Sequence, residues 1–217
     1  MPTVNYSNFA LQFITHGRDG AECARQARQV LDGGCRWVQL RMKEADEAEV
    51  EAAAREVKRL TDDAGATLII DDHVEVCRRV GASGVHLGRN DMSPQEAREL
   101  LGDGFVIGGT CNTADDISRV APWVDYVGCG PFRFTETKKN LAPTLGLDGY
   151  RSLVWESRSR GLNIPMVAIG GITSADIAEI LASGPDGIAL SGEIVRSADM
   201  RAKTAEIVEI VNRRAGQ

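Results

Sequence analysis

The chain has 217 residues and carries 25 lysines and arginines against 31 aspartates and glutamates, which gives a formal net charge of −6. This acidic balance disfavours a nucleic-acid-binding protein, which usually presents a basic face. Hydrophobic residues make up 43% and charged residues 26% of the chain, a mixture typical of soluble globular proteins and too apolar for a disordered one. The length fits a single domain, because α/β barrels of more than about 200 residues commonly form one unit.

The sequence also bears on compartment and partners. Residues 1–7 lack the cationic start and apolar core of a secretory signal, and no segment approaches the ~18 apolar residues of a membrane span. The five cysteines are scattered and form no Cys-x-x-Cys pair, so neither a disulfide framework nor a zinc site is indicated. We therefore expect a cytoplasmic protein with reduced thiols and with neither nucleic acid nor membrane as a partner. The sequence is compatible with a homo-oligomer and does not specify the number of subunits.

Short β-rich segments alternate with longer amphipathic segments along the chain. The predicted strands, in chain order, are Phe9–Thr15, Trp37–Leu40, Thr67–Ile70, Gly84–Leu87, Phe105–Gly108, Tyr126–Gly128, Met166–Ile169 and Gly187–Leu190. Helical patterns follow them, as in Asp46–Asp63, where apolar residues recur every three or four positions. Two further segments, Ser93-Pro94 and Thr173-Ser174, are typical of helix starts.

This alternation predicts the fold class. Eight strand–helix repeats with uniformly apolar strands indicate a parallel sheet covered by helices. We therefore predict an α/β protein with a (β/α)8 TIM-barrel fold, in one compact domain over residues 1–217. An open doubly wound sheet is the alternative, but no Gly-x-Gly-x-x-Gly motif follows the first strand.

One connection, Gly130–Gly149, is much longer than the ~2–6 residues usual for a strand–helix loop. Long loops in compact domains are usually functional. Its residues 132–140 are rich in hydroxyls and positive charge. The loop is therefore predicted to be an active-site lid that closes on an anion.

Polar residues that follow strands are the site candidates, because TIM-barrel sites lie at the carboxyl ends of the strands. After the second strand, Gln39, Arg41 and Lys43 alternate along an extended segment, so all three side chains can point the same way. An arginine fork beside a lysine point charge suits a phosphate or a diphosphate. The alternative is a strand end whose charges face water.

Acidic residues follow the next two strands. Asp71 and Asp72 come after Thr67–Ile70, and Asp91 comes after the fourth strand. Adjacent barrel strands would bring Asp72 and Asp91 together, and two carboxylates that leave positions for phosphate oxygens and water suit Mg²⁺. The alternative is that Asp71 or Asp72 caps the helix that begins near His73. Capping would explain one aspartate but not its pairing with Asp91.

Glycines end the last two strands, in Gly170-Gly171 and Ser191-Gly192. Glycine lets backbone N–H groups approach a ligand closely, and TIM barrels commonly bind a phosphate at this place. Each pair alone is also typical of a tight turn, but their coincidence after neighbouring strands favours a phosphate site. His86 lies inside a strand and is expected to be a packed, hydrogen-bonded residue. The residues together predict a site for two anionic groups, one of them held with Mg²⁺.

Six segments, taken in order, resemble successive signatures of the thiamine phosphate synthase family over nearly the whole chain. They are Val38–Lys43, Ile69–Asp72, Gly84–Gly88 with Asp91, Asp125–Pro131, Thr135–Lys139 and Val167–Ile172. That family joins 4-amino-2-methyl-5-(diphosphooxymethyl)pyrimidine to a thiazole phosphate, giving thiamine phosphate and pyrophosphate. The resemblance implies a Mg²⁺-dependent transferase that follows a dissociative path, in which diphosphate leaves before the thiazole nitrogen attacks.

Carried over by position, the resemblance also implies roles for individual residues. The pyrimidine diphosphate would be held by Gln39, Arg41, Lys43, Asp71, Thr110 and Lys138. The thiazole phosphate would be held by Thr135, Glu136, Thr137, Gly171, Ser191 and Gly192. The metal ligands would be Asp72 and Asp91. The catalytic residues would be Arg41, Lys43 and Lys138, which would stabilise charge that grows on the leaving diphosphate.

The chain departs from the usual family pattern at several positions. Asp71 stands where asparagine is common, Arg89 where glutamine is frequent, and Thr110-Cys111-Asn112 where Ser-Thr-His is typical. Two other functions stay open. A thiazole tautomerase on the same scaffold would need neither diphosphate nor metal, so the diphosphate-binding residues argue against it. A non-catalytic thiamine-phosphate sensor would need no pair of magnesium ligands, and turnover would exclude it.

Overall fold

The computed structural model describes residues 10–134 and 143–215. Eight parallel strands form a closed barrel in which each strand pairs with its neighbours in chain order and the last pairs with the first. The strands are β1 (Leu11–Ile14), β2 (Trp37–Leu40), β3 (Thr67–Asp71), β4 (Gly84–Leu87), β5 (Val106–Cys111), β6 (Tyr126–Cys129), β7 (Met166–Ile169) and β8 (Gly187–Leu190). The predicted (β/α)8 TIM barrel is confirmed. The predicted domain limits include residues outside the described ranges and stay a prediction.

Helices follow the strands along the chain. They are α1 (Gly20–Asp32), α2 (Glu47–Asp63), α3 (Val74–Val80), α4 (Pro94–Leu101), α5 (Ala114–Val120), α6 (Gly146–Ser159), α7 (Ile177–Ala182), α8 (Gly192–Val195) and α9 (Met200–Ala215). A short 3₁₀ turn, Ser174–Asp176, precedes α7. Across residues 10–134 and 143–215, none of the helices is both long and apolar enough to cross a membrane.

Some predicted boundaries were wrong, for local reasons. The strand predicted to end at Gly108 continues to Cys111, because β5 keeps pairing with β6 through three further residues. The long connection ends before Gly149, because α6 begins at Gly146, whose N–H donates to the Phe132 carbonyl at 3.0 Å. Residues 135–142 of the predicted lid lie outside the described residues.

Strand residues alternate between two cores, as the pleat requires. Outward residues such as Leu68 and Ile70 pack with helix residues such as Val57 in the larger core. A second cluster fills the inside of the barrel with inward residues of seven strands, namely Ile14, Trp37, Ile69, Val106, Tyr126, Val167 and Ala189. This packed interior forms the floor beneath the polar strand ends.

Candidate active site

A cavity of about 230 Å³ opens at the carboxyl ends of the strands. Its lining includes ten predicted site residues, namely Gln39, Arg41, Lys43, Asp71, Asp72, Asp91, Thr110, Gly171, Ser191 and Gly192. The structure thus brings together every predicted site residue that it describes. Predictions for Thr135, Glu136, Thr137 and Lys138 concern positions outside the described residues.

Asp71, at the end of β3, contacts polar side chains at the end of β2, and together they form one wall of the cavity. Gln39 Nε2 donates to Asp71 Oδ1 at 2.7 Å, and Arg41 Nε lies 3.4 Å from Asp71 Oδ2. The side chains of Arg41 and Asp71 are only 18% and 10% exposed, so this strand end does not simply face water. Burial raises the pKa of the Asp71 carboxyl, although the charge of Arg41 opposes that rise. The buried carboxylate therefore holds the guanidinium in place at the edge of the cavity.

Asp72 reaches the same cavity because the backbone turns at this residue. Among the described residues, Asp72 is the only non-glycine residue with a positive φ, 65°, in the left-handed region that aspartate and asparagine enter more readily than most residues. In an extended strand, two consecutive side chains would point to opposite faces. Here both line the cavity, and Lys43 Nζ lies 3.6 Å from Asp72 Oδ2.

The capping alternative does not describe these two aspartates. Within the described residues, the N-cap of α3 is His73, and its side chain makes no capping hydrogen bond. Asp71 instead contacts Gln39 and Arg41. Both carboxylates are consequently directed at the cavity rather than at a helix end.

The carboxyl groups of Asp72 and Asp91 interact, and this interaction shifts the pKa of both. Burial, followed by the hydrogen bond with Asp91, raises the pKa of Asp72 to about 7. Burial also raises the pKa of Asp91, but hydrogen bonds from Asp72 and from the Gly88 N–H, 2.6 Å from Oδ2, outweigh it and lower that pKa. The two carboxyls therefore titrate as a pair, and the pair keeps one proton to a higher pH than an isolated aspartate would.

The donor set of this pair fits a magnesium ion. Two hard oxygen ligands held side by side leave coordination positions for phosphate oxygens and water, which is how Mg²⁺ is usually bound. Within the described ranges, no group of three or more His, Cys, Asp or Glu side chains is arranged to hold a metal by itself. The pair would thus suit a metal ion that arrives with an anionic substrate.

Sequence reasoning did not assign His86 to the site, yet it lies at the floor of the cavity. Its Nδ1 lies 3.0 Å from the Tyr126 hydroxyl oxygen, and its Nε2 lies 3.0 Å from Thr110 Oγ1. The signal that could have found it is the period of two along β4, which places His86 on the inward face together with Gly84 and Gly88. A polar side chain that faces inward near the end of a barrel strand is therefore a candidate site residue, even where its sequence neighbours are apolar.

The glycine turns after β7 and β8 form the opposite wall. Gly170 and Gly171 have φ values of 97° and 70°, which side-chain-bearing residues rarely adopt. Arg133 fastens this turn, because its guanidinium donates to the Gly171 carbonyl at 3.1 Å and to both oxygens of Asp176 at 2.8 and 2.7 Å. The turn is therefore fixed with its backbone along the cavity, a geometry suited to phosphate oxygens.

Two of the departures from the family pattern have structural partners away from Asp71. Arg89 pairs with Asp116 at 2.6 Å. The Asn112 side chain donates to the carbonyl of Gly130. Neither residue contacts the carboxylates that line the cavity, so Arg41 and Gln39 remain the partners of Asp71.

Comparisons with known proteins agree with this geometry. A family model described as thiamine monophosphate synthase matches residues 11–194. The thiamine-phosphate synthase of Phocaeicola vulgatus is 51% identical over 201 residues, which cover 92% of this chain and 97% of that protein. The thiamine-phosphate synthase of Bacteroides fragilis is 50% identical over 202 residues, covering 93% and 99%.

A solved structure supports the same assignment. Thiamine phosphate pyrophosphorylase from Pyrococcus furiosus matches with a TM-score of 0.85 and 31% identity, over 96% of this chain and 98% of that one. The resemblance seen in the six sequence segments is thereby confirmed. The chain belongs to the thiamine monophosphate synthase family.

Proposed function

We propose that this protein couples 4-amino-2-methyl-5-(diphosphooxymethyl)pyrimidine with a thiazole phosphate, carboxylated or not, to give thiamine phosphate and pyrophosphate. Family membership makes it a transferase of thiamine biosynthesis. The observation that carries the choice of substrates is the meeting of Arg41 and Lys43 with the Asp72–Asp91 pair in one cavity. Two cations beside two carboxylates are suited to a diphosphate that binds with a divalent metal ion.

The residues around the diphosphate would act mainly through charge. Lys43 and Arg41 would contact the phosphoryl oxygens, and Thr110 and Gln39 would hold the rest of the pyrimidine substrate. As the bond from the methylene carbon to the diphosphate oxygen breaks, the electron pair leaves with the diphosphate. Cations placed beforehand at that oxygen stabilise the growing charge without reorganising. A magnesium ion bound by Asp72 and Asp91 would supply further charge neutralisation on the leaving group.

The thiazole phosphate would lie against the glycine turns on the other wall. Gly171, Ser191 and Gly192 would face its phosphate, with Thr135, Glu136 and Thr137 of the long loop completing the contacts. The Arg133–Asp176 ion pair would keep the Gly171 turn fixed during the reaction. The thiazole nitrogen would then be held ready to form the new C–N bond with the methylene carbon.

The direct experiment mixes the purified protein with both substrates and Mg²⁺ and follows both products. One pyrophosphate should appear for each thiamine phosphate, and omission of either substrate should stop both. No thiamine phosphate under these conditions would refute the proposal. Isomerisation of the thiazole phosphate that survives EDTA would instead support a tautomerase, and binding without turnover would support a sensor.

Magnesium as the metal is tested through its two ligands. Asp72→Asn or Asp91→Asn should strongly lower coupling and raise the Mg²⁺ concentration needed, because each removes one of only two protein oxygens proposed for the ion. Asp63→Asn is the matched control, since its side chain is 70% exposed on α2. Unchanged activity in both cavity variants across Mg²⁺ concentrations would exclude this metal site. We also propose the cytoplasm as the compartment, which fractionation of the source cells would test.

A further inference from the structure

Four side chains from four strands form a continuous hydrogen-bond chain that ends at the cavity. Gln12 Nε2 donates to the Tyr126 hydroxyl oxygen at 3.2 Å. That oxygen lies 3.0 Å from His86 Nδ1, and His86 Nε2 lies 3.0 Å from Thr110 Oγ1. Gln12, His86 and Thr110 line the cavity, and Tyr126, which is 0% exposed, lies buried behind them. The hydrogen-bond chain therefore links three residues of the cavity lining through one buried tyrosine.

The donor and acceptor properties of these groups set the direction in which hydrogens are donated along the hydrogen-bond chain. A glutamine Nε2 can only donate, so the Tyr126 oxygen accepts from Gln12 and its own hydrogen is available to His86 Nδ1. A neutral imidazole whose Nδ1 accepts carries its hydrogen on Nε2. In this tautomer, His86 Nε2–H would donate to Thr110 Oγ1. The hydrogen of the Thr110 hydroxyl is left for another acceptor, and in the part of the chain that the structure describes this hydroxyl bonds to His86 only.

We propose that His86 is a positioning residue, which holds the Thr110 hydroxyl as a hydrogen-bond donor toward an acceptor atom of the pyrimidine diphosphate. A free threonine hydroxyl can both rotate and accept, so it would contribute less to a fixed substrate geometry. Tyr126 and Gln12 act one step further back, by fixing the ring tautomer of His86. The identity of the acceptor atom rests on the proposed function. The donor-to-acceptor direction of the four hydrogen-bonded side chains can be tested in the free protein.

The barrel makes room for this arrangement with two glycines. Gly108 pairs in register with both His86 and Tyr126, and a Cβ at Gly108 would overlap the Tyr126 ring. A Cβ at Gly128 would lie 3.1 Å from His86 Cε1. The two rings pack with centroids 5.5 Å apart. The imidazole is therefore oriented by its surroundings as well as by its hydrogen bonds.

The first test measures the His86 tautomer in the free protein by ¹⁵N NMR. The chain has three histidines, so the His86 ring signals can be assigned as those lost in His86→Gln. We expect a protonated Nε2 and an unprotonated Nδ1 in the wild-type protein. Tyr126→Phe should shift the population toward the other tautomer, because the donor to Nδ1 is gone. A wild-type ring protonated on Nδ1, or a population unchanged by Tyr126→Phe, would overturn the proposed direction.

The second test uses steady-state kinetics of the coupling reaction. Thr110→Val and His86→Leu should each lower kcat by about tenfold, with a smaller change in KM for the pyrimidine diphosphate, since the first removes the proposed hydrogen bond to the substrate and the second releases the hydroxyl that makes it. The double variant should be no slower than either single variant, because groups that act as a unit are not additive. His86→Gln should recover most of kcat, because it can place an N–H near the former Nε2.

Controls separate positioning from damage to the fold. His16→Leu is the matched control, because His16 is exposed and lies outside the chain of four residues. Thermal unfolding of every variant checks that the barrel is intact. Additive losses in the double variant, or a His86→Gln variant as slow as His86→Leu, would overturn the positioning role. If the wild-type protein forms no thiamine phosphate, the proposed function fails. The NMR result on the His86 tautomer still decides the direction of the hydrogen bonds between Tyr126, His86 and Thr110.

Discussion

Removing the Asp72 carboxyl should stabilise the metal-free protein more at pH 8 than at pH 5. The pKa of Asp72 is raised from 3.8 to about 7, by burial and by its hydrogen bond with Asp91. The folded protein therefore keeps a proton here that the unfolded chain releases above about pH 4. The associated stability is fully present below the unfolded pKa and is lost as the pH rises through the folded pKa.

The size of the effect follows from the interval over which the proton is lost. Between pH 5 and a folded pKa of about 7 lie about 2 units, and at 1.36 kcal/mol per unit they correspond to about 3 kcal/mol. Solvent screening reduces this value, because the Asp72 side chain is 29% exposed. We therefore expect Asp72→Asn to gain about 2 kcal/mol more at pH 8 than at pH 5, or about 4–8 °C in Tm.

The assay is thermal or urea unfolding of wild type and Asp72→Asn in EDTA at the two pH values. Asp63→Asn, at an exposed site on α2, should show little difference between them. Addition of Mg²⁺ at pH 8 should then raise the Tm of wild type more than that of Asp72→Asn, because the ion would offset the repulsion between the two deprotonated carboxylates. An equal stability change at pH 5 and pH 8 would refute the reasoning about the carboxyl pair.

Three further predictions concern the lid and the barrel. Lys138→Ala should lower kcat on the order of 10²-fold while raising KM less, as expected for a lysine that meets charge developing on the leaving group. Lys139→Ala should have a smaller effect on kcat. Single-turnover kinetics in which Lys139→Ala is the slower variant would contradict the assignment of Lys138 as the catalytic lysine. Gly108→Ala should destabilise the fold by about 1–3 kcal/mol through overlap with Tyr126, so an unchanged urea midpoint would contradict the packing argument. Tyr150→Phe should cost about 1 kcal/mol, because the hydroxyl donates to a buried β6 carbonyl at 2.8 Å; a more stable variant would argue against that bond.

The fold could be predicted from the sequence because strand and helix periods differ and alternate throughout. Strands such as Met166–Ile169 and Gly187–Leu190 are uniformly apolar and end at a clear change of residue type, so their limits agree with the structure. β5 was predicted too short because its paired glycines interrupt the apolar pattern. Gly108 is needed in this strand because a Cβ there would overlap the Tyr126 ring, a contact that local sequence does not reveal.

The site could be predicted in part for a related reason. Residues just after strand ends must meet at one end of a barrel, so Asp72 and Asp91 could be placed together without coordinates. The Gln39–Asp71–Arg41 contacts and the polar chain through His86 depend on side-chain direction inside a closed sheet. An inward polar residue within a strand resembles an ordinary core position until its partners on other strands are known.

The left-handed backbone at Asp72 limits which acids can serve at this position. A φ of 65° is tolerated by glycine, asparagine and aspartate far better than by longer or branched residues. A carboxylate is also required there if the residue is to share a cation with Asp91. Aspartate is the one side chain that satisfies both demands, so glutamate would be no conservative replacement despite its charge. The residue found at this position in related sequences should therefore depend on the left-handed backbone conformation as much as on metal binding.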